Sequence, residues 1–159
     1  MKIIENFLHN EQFNIIKEEL LSSNFPWFFR KSQVSFDNSK YTEYFTHSFY
    51  YNNVINSDKW DIIKPIIDCL DIKALIEVRA NLIVQKHENI LSDFHTDYDF
   101  DCSTAIFYIN TNNGYTQFKN GKKIKCDENK MIIFNSSEQH AAASQTDEKQ
   151  RIVLNINYF

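Results

Sequence analysis

Glycine is almost missing from this sequence. Only Gly114 and Gly121 occur in 159 residues, so most tight turns must be made by something else. Asparagine is abundant and is, after glycine, the residue most tolerant of left-handed backbone; it is expected to take over those turns. Cysteine is sparse. Cys69, Cys102 and Cys126 show no paired metal-binding spacing, and an odd, scattered set excludes a disulfide framework. They read as reduced thiols of a cytoplasmic protein, small hydrophobes without a chemical role. No apolar run approaches the roughly 18 residues needed to span a bilayer, so no membrane partner is expected. The opening MKIIENFLHNEQF is not a signal peptide, because Glu5, Asn6, His9 and Asn10 interrupt any apolar stretch. Internal repeats, low-complexity tracts and linkers are also missing, which predicts one domain over 1–159. The formal charge of -4 disfavours a nucleic-acid backbone as partner, though only weakly.

Apolar and aromatic residues are plentiful, at 43% and 15%, which excludes a disordered chain and supplies a core. The pattern changes near residue 75. Before it, NEQFNIIKEELLSS predicts a helix capped by Asn10 with Phe13, Ile16 and Leu20 on one face. SDKWDIIKPIIDCL predicts a second, capped by Ser57 or Asp58, with Trp60, Ile63, Ile67 and Leu70 inward and Pro65 kinking it or marking its start. WFFRKSQVSF and EYFTHSFYYNN read as strands. After residue 75 come LIEVRANLIVQ, CSTAIFYIN, YTQFKN, KKIKC, KMIIFN and QRIVLNINYF, short strands parted by polar turns, of which Asn120-Gly121 is a hairpin signal. The expected fold class is mainly β with flanking helices, in a sandwich or barrel; residues 1–75 support a barrel core over 76–159.

The last strand alternates. Arg151, Val153, Asn155 and Asn157 fall on one face, and Ile152, Leu154, Ile156 and Tyr158 on the other. A polar face carrying an Arg suits a barrel interior that holds an anion, since a buried guanidinium is costly alone.

Five histidines occur, and only His95, in DFHTDYD, has a carboxylate two residues on in a strand-end segment. Residues two apart in extended chain point to one side, so His95 and Asp97 can converge on one ion. A third ligand must come from a distant strand, and His140, just after KMIIF, is the best candidate. Two histidines and one carboxylate on one face of an ion leave the other face open, the arrangement non-haem Fe(II) chemistry with O2 requires. Arg151, eleven residues after His140, can grip a carboxylate with a two-pronged hydrogen bond.

HTD, the distant His140 and Arg151 resemble the signature of the Fe(II)- and 2-oxoglutarate-dependent dioxygenases. STAIFYINTNNGYTQF resembles the prolyl-4-hydroxylase-like branch, over about half the chain, 76–159. The chain is also similar to small oxygenases encoded by bacteriophages, which would place it in a host cytoplasm. The resemblance implies a double-stranded β-helix, the cupin-like jelly roll. It implies His95, Asp97 and His140 as iron ligands and Arg151 as anchor for the distal carboxylate of 2-oxoglutarate. Tyr108 falls where the family often has a tyrosine on the same carboxylate, on one face with Thr104 and Ile106. Two departures stand out. Gln85 occupies a position that is often Tyr, and no Ser follows two residues after the Arg; Asn155 could replace that contact, and Asn81 is a further cosubstrate candidate. The implied activity is C–H hydroxylation of a peptidyl proline or other protein side chain. The alternatives are nucleic-acid base oxidation or demethylation by the same chemistry, and a metal-binding barrel without catalysis. Asp99 and Asp101 read as a solvated loop, Trp27, Phe28 and Phe29 as core, and His9, His47 and His87 as structural or exposed.

Overall fold

The computed structural model describes residues 1–30 and 44–159. Two helices and eleven strands are formed by the described residues, and the strands make two sheets. The larger runs β1 (Lys2–Ile4), β9 (Lys130–Asn135), β6 (Ser103–Tyr108), β11 (Gln150–Tyr158), β5 (Leu75–Val84), β3 (Tyr44–Tyr51) and β2 (Phe28–Arg30), with β4 (Val54–Ile55) paired to β3. The smaller runs β10 (His140–Ala143), β7 (Asn112–Phe118) and β8 (Lys123–Cys126). All pairings are antiparallel. This is the expected jelly-roll arrangement of mainly β structure with flanking helices.

The period-2 pattern of the strands divides the molecule into two cores. Ile152, Leu154 and Ile156 of β11 join Val78, Ala80 and Leu82 of β5 and Phe107 of β6 on the outer face of the large sheet. The helices cover that face. Helix α1 (Asn10–Leu21) buries Phe13, Ile16 and Leu20 at helical spacing. Helix α2 (Trp60–Asp68) buries Ile63 and Ile66, not Ile67 and Leu70, which are partly buried. The opposite face of the large sheet meets the small one through Ile106, Tyr108, Ile132, Phe134 and Val153 against Phe118, Ile124 and Cys126. The polar face of β11 therefore points between the sheets.

Local details differ from expectation where competing geometry wins. The residue before α1 is His9, which makes no capping bond; Asn10 is already helical. At α2 the flanking residue is Lys59, and Ser57 Oγ accepts its N–H at 3.0 Å from two residues upstream. Pro65 lies inside α2. Phe28 and Phe29 are exposed on a three-residue strand, whereas Trp27 is packed against the core. Residues 31–36 of one expected strand and Glu43 of the next lie outside the described residues. Asparagine does replace glycine in turns: Asn6, Asn52, Asn53 and Asn129 are the non-glycine positions with positive φ among the described residues. Gly121, at φ 91°, closes the β7–β8 hairpin.

Candidate metal centre

Backbone pairing brings the two histidines together. His95 lies in an isolated bridge with His140, the first residue of β10, and their amides exchange hydrogen bonds of 3.0 and 2.9 Å. The Asp97 amide donates to the Ser136 carbonyl at 3.1 Å, fixing the third residue to the same edge. One ligand atom from each of His95, Asp97 and His140 then lies within 4.8 Å of the others. Asp97 Oδ1 is 3.9 Å from His95 Nε2 and 3.8 Å from His140 Nε2.

Neighbouring groups orient all three side chains. His95 Nδ1 faces the Asp93 carbonyl at 3.3 Å and His140 Nδ1 the Glu138 carbonyl at 3.0 Å. A carbonyl only accepts, so each Nδ1 carries the proton and each Nε2 keeps its lone pair toward Asp97. Asp97 Oδ2 accepts from Asn155 Nδ2 at 3.2 Å and lies 3.0 Å from Thr104 Oγ1. Thr104 is also 2.7 Å from Asn157 Oδ1; its single proton can serve one acceptor, and the charged one is the stronger. Oδ1 is thus left facing the histidines. Burial, and then the charge of His140, lower the His95 pKa against the opposing pull of Asp97, which favours the neutral imidazole a metal needs. Phe118 and Phe134 pack on the His140 ring with centroids 6.2 and 4.9 Å away, making one wall apolar.

This donor set fits a divalent first-row ion. It offers two neutral imidazole nitrogens and one carboxylate oxygen, already oriented by outer partners and open on the side of a cavity. That cavity is lined by residues of both sheets, among them Asn81, Thr116, Arg151 and Asn155. Arg151, only 2% exposed, forms its floor. Its Nε donates to Cys126 Sγ at 2.9 Å, and a terminal nitrogen lies 3.5 Å from Thr116 Oγ1. Burial pushes the Cys126 thiol pKa up, although Arg151 opposes this, so the thiol stays neutral. Gly114 gives the Arg room, for a Cβ there would stand 2.9 Å from Arg151 Cδ.

Of the residues singled out in the sequence, His95, His140, Arg151, Asn81 and Asn155 line the cavity, and Asp97 stands beside both histidines. Tyr108 is one layer behind: fully buried, it donates its hydroxyl to Thr116 at 2.9 Å, and Thr116 faces the cavity. Gln85 lies outside the site, with its amide on the Thr146 carbonyl. Thr116, Thr104 and Arg79 were missed as site residues. The alternation of β7 and β5 could have found the first and the last.

No protein-family model matches the sequence, and no curated protein matches it. Solved structures do. A Trichoplax adhaerens prolyl hydroxylase, solved in complex with a hypoxia-inducible-factor oxygen degradation domain peptide fragment, has a TM-score of 0.71 at 15% identity, covering 99% of this chain and 82% of its own. A Burkholderia pseudomallei oxidoreductase of the 2OG-Fe(II) oxygenase family has a TM-score of 0.70 at 8% identity, covering 98% of this chain and 83% of its own. The non-haem α-ketoglutarate-dependent epimerase of nogalamycin biosynthesis has a TM-score of 0.69 at 10% identity, covering 99% and 76%. At such identities the likeness is one of fold, and these neighbours already differ in reaction. The chain has the fold shared by these Fe(II)/2-oxoglutarate oxygenases.

Proposed function

We propose that the protein is an Fe(II)- and 2-oxoglutarate-dependent oxygenase that hydroxylates a C–H bond of a peptidyl proline or another protein side chain. One observation carries this. Two histidines and an aspartate, with ligand atoms within 4.8 Å of each other, share a cavity with a deeply buried arginine. An arginine beside the metal residues is what a keto acid with a second carboxylate would use.

In this scheme His95 Nε2, Asp97 Oδ1 and His140 Nε2 hold the iron. When bound, Fe(II) with 2-oxoglutarate and O2 supplies the oxidising power, giving succinate, CO2 and a hydroxylated product. The chain's own residues do the rest. Arg151 receives the distal carboxylate, flanked by Thr116, whose hydroxyl is oriented by Tyr108. Asn155 steadies Asp97 from beneath, and Asn81 flanks the cosubstrate from β5. Phe118 and Phe134 keep water from one side of His140. A peptide substrate is supported by the neighbour solved with a peptide fragment. A cytoplasmic setting fits the three unpaired thiols, and no helix among the described residues is long and apolar enough to cross a membrane.

The test is succinate formation. Protein incubated with Fe(II), O2 and 2-oxoglutarate should form succinate slowly without substrate, and Asp97→Ala should not. A wild-type protein that binds both yet forms none, with peptide pools or with nucleic acids added, would leave only the non-catalytic barrel.

A further inference from the structure

Among the described residues, three buried side-chain atoms lack a hydrogen-bond partner: Arg79 Nε, Asn81 Oδ1 and Gln145 Oε1. The first two sit two residues apart on one face of β5, and both residues line the metal cavity. A buried donor or acceptor without a partner is destabilising, and such atoms gather where a ligand completes them.

The register of β5 against β11 orders this wall by depth. Arg151 is opposite Ile83, Val153 opposite Asn81, Asn155 opposite Arg79 and Asn157 opposite Glu77. Asn155 bonds Asp97, so Arg79 stands level with the metal ligands, while the Arg151 backbone is four residues further in along β11. Glu77 is one step outward and takes Arg79 Nη1 at 3.2 Å, which draws the guanidinium toward the mouth. The Arg79 side chain is 33% exposed although its Nε is buried. A cosubstrate stretched between the metal ligands and Arg151 would pass Asn81. The exposed end of the Arg79 guanidinium would instead meet whatever enters from outside.

We infer that Arg79, tethered by Glu77, docks the prime substrate, with its guanidinium donating to a main-chain carbonyl of a peptide. This rests on the function proposed above and gives its substrate class a residue. Charge decides between a peptide and a nucleic acid. Glu77 already balances Arg79, so a neutral carbonyl satisfies the donor without adding charge. A phosphodiester would bring its negative charge against the Glu77 carboxylate. A hydrogen bond from a guanidinium to a carbonyl also fixes the distance of the neighbouring C–H bonds from the metal ligands.

The test uses the full chain loaded with Mn(II) and 2-oxoglutarate, which binds without turning over. The probes are twenty tripeptides, Ala-Xaa-Gly, acetylated and amidated at their ends, and a set of single-stranded DNA 12-mers. Bound Mn(II) broadens the proton resonances of any probe docked beside it. Broadening of at least one tripeptide is expected, with its apparent Kd raised about tenfold or more by Arg79→Gln and less by Arg79→Lys. The calorimetric Kd for 2-oxoglutarate should stay within about twofold in both variants, given the placement of Arg79 outside the cosubstrate path. Four results overturn the inference: no tripeptide broadened by the wild type, a tripeptide Kd unchanged by Arg79→Gln, broadening of the DNA that depends on Arg79, or a loss on Arg79→Gln confined to 2-oxoglutarate. If free Mn(II), counted by its electron paramagnetic resonance, is not taken up, the metal site itself is wrong and both proposals fall.

Discussion

Replacing Arg151 by Gln separates the two carboxylates of 2-oxoglutarate. Arg151 is 2% exposed, and its Nε and a terminal nitrogen lie against Cys126 and Thr116. In the proposed scheme the distal carboxylate of the dianion pairs with this guanidinium in a place with little water. Removing one partner of a buried charge pair costs about 3–5 kcal/mol, or roughly two to three and a half powers of ten in affinity. Pyruvate has the chelating keto acid but no distal carboxylate, so its affinity should fall far less. Arg151→Lys restores charge without the planar fork and should lie between. Each variant is loaded with Fe(II) without oxygen and titrated with each keto acid, following the metal-to-ligand charge-transfer band, after thermal melts have shown the fold intact. Equal losses for pyruvate and 2-oxoglutarate would show that Arg151 supports the barrel and not the cosubstrate.

Gly114→Ala should weaken 2-oxoglutarate in the same titration, because its Cβ would stand 2.8 Å from Asn112 Oδ1 and 2.9 Å from Arg151 Cδ and would displace the anchor. Asn155→Ala and Thr104→Val should each weaken Fe(II) binding about tenfold or more by releasing Asp97 Oδ2, read by competition with a chelator. His47 governs an acid-sensitive part of stability. Its Nδ1 faces the Pro26 carbonyl at 2.8 Å and its Nε2 the Ser57 hydroxyl at 2.7 Å, and burial lowers its pKa from 6.5. Below that value the unfolded chain binds a proton that the folded one resists, so stability should fall as pH drops from 6.5 toward the lowered pKa. Urea melts of His47→Gln should show a flatter profile over that range than the wild type; an unchanged profile would place the acid sensitivity elsewhere.

Much of this architecture was legible because burial imposes a period. The alternation of β11 separated its helix-facing side from the cavity, and the spacing of Phe13, Ile16 and Leu20 identified the buried face of α1. His95 and Asp97 were singled out by their spacing, and their ligand atoms lie within 4.8 Å of each other, although His95 is an isolated bridge residue and Asp97 lies in a bend and not in a strand. Less legible was the strand that carries His140: HAAA has neither β-branched nor aromatic residues, and only pairing with β7 makes it β10. Arg79 escaped notice because a charge on a strand ordinarily marks a solvent face, whereas here its Nε is buried in the cavity wall. Tyr108 carried the right phase, but phase gives a direction and not a depth, and Thr116 stands in front of it. The residues flanking both helices lie one or two positions from the expected caps: α1 begins with a backbone bond from Phe13 to the His9 carbonyl, which leaves no sequence signal, and at α2 the expected Ser57 accepts from Lys59, ahead of the first helical residue.

The most direct measurement is an anaerobic titration of the protein with Fe(II) and then 2-oxoglutarate, followed by absorption. One Fe(II) per chain and a charge-transfer band that saturates at one equivalent of 2-oxoglutarate are expected, with both lost in Asp97→Ala and His140→Ala. Undiminished Fe(II) binding in those variants, or a wild-type Fe(II) protein in which 2-oxoglutarate raises no band, would contradict the assignment of His95, Asp97 and His140 as the metal centre.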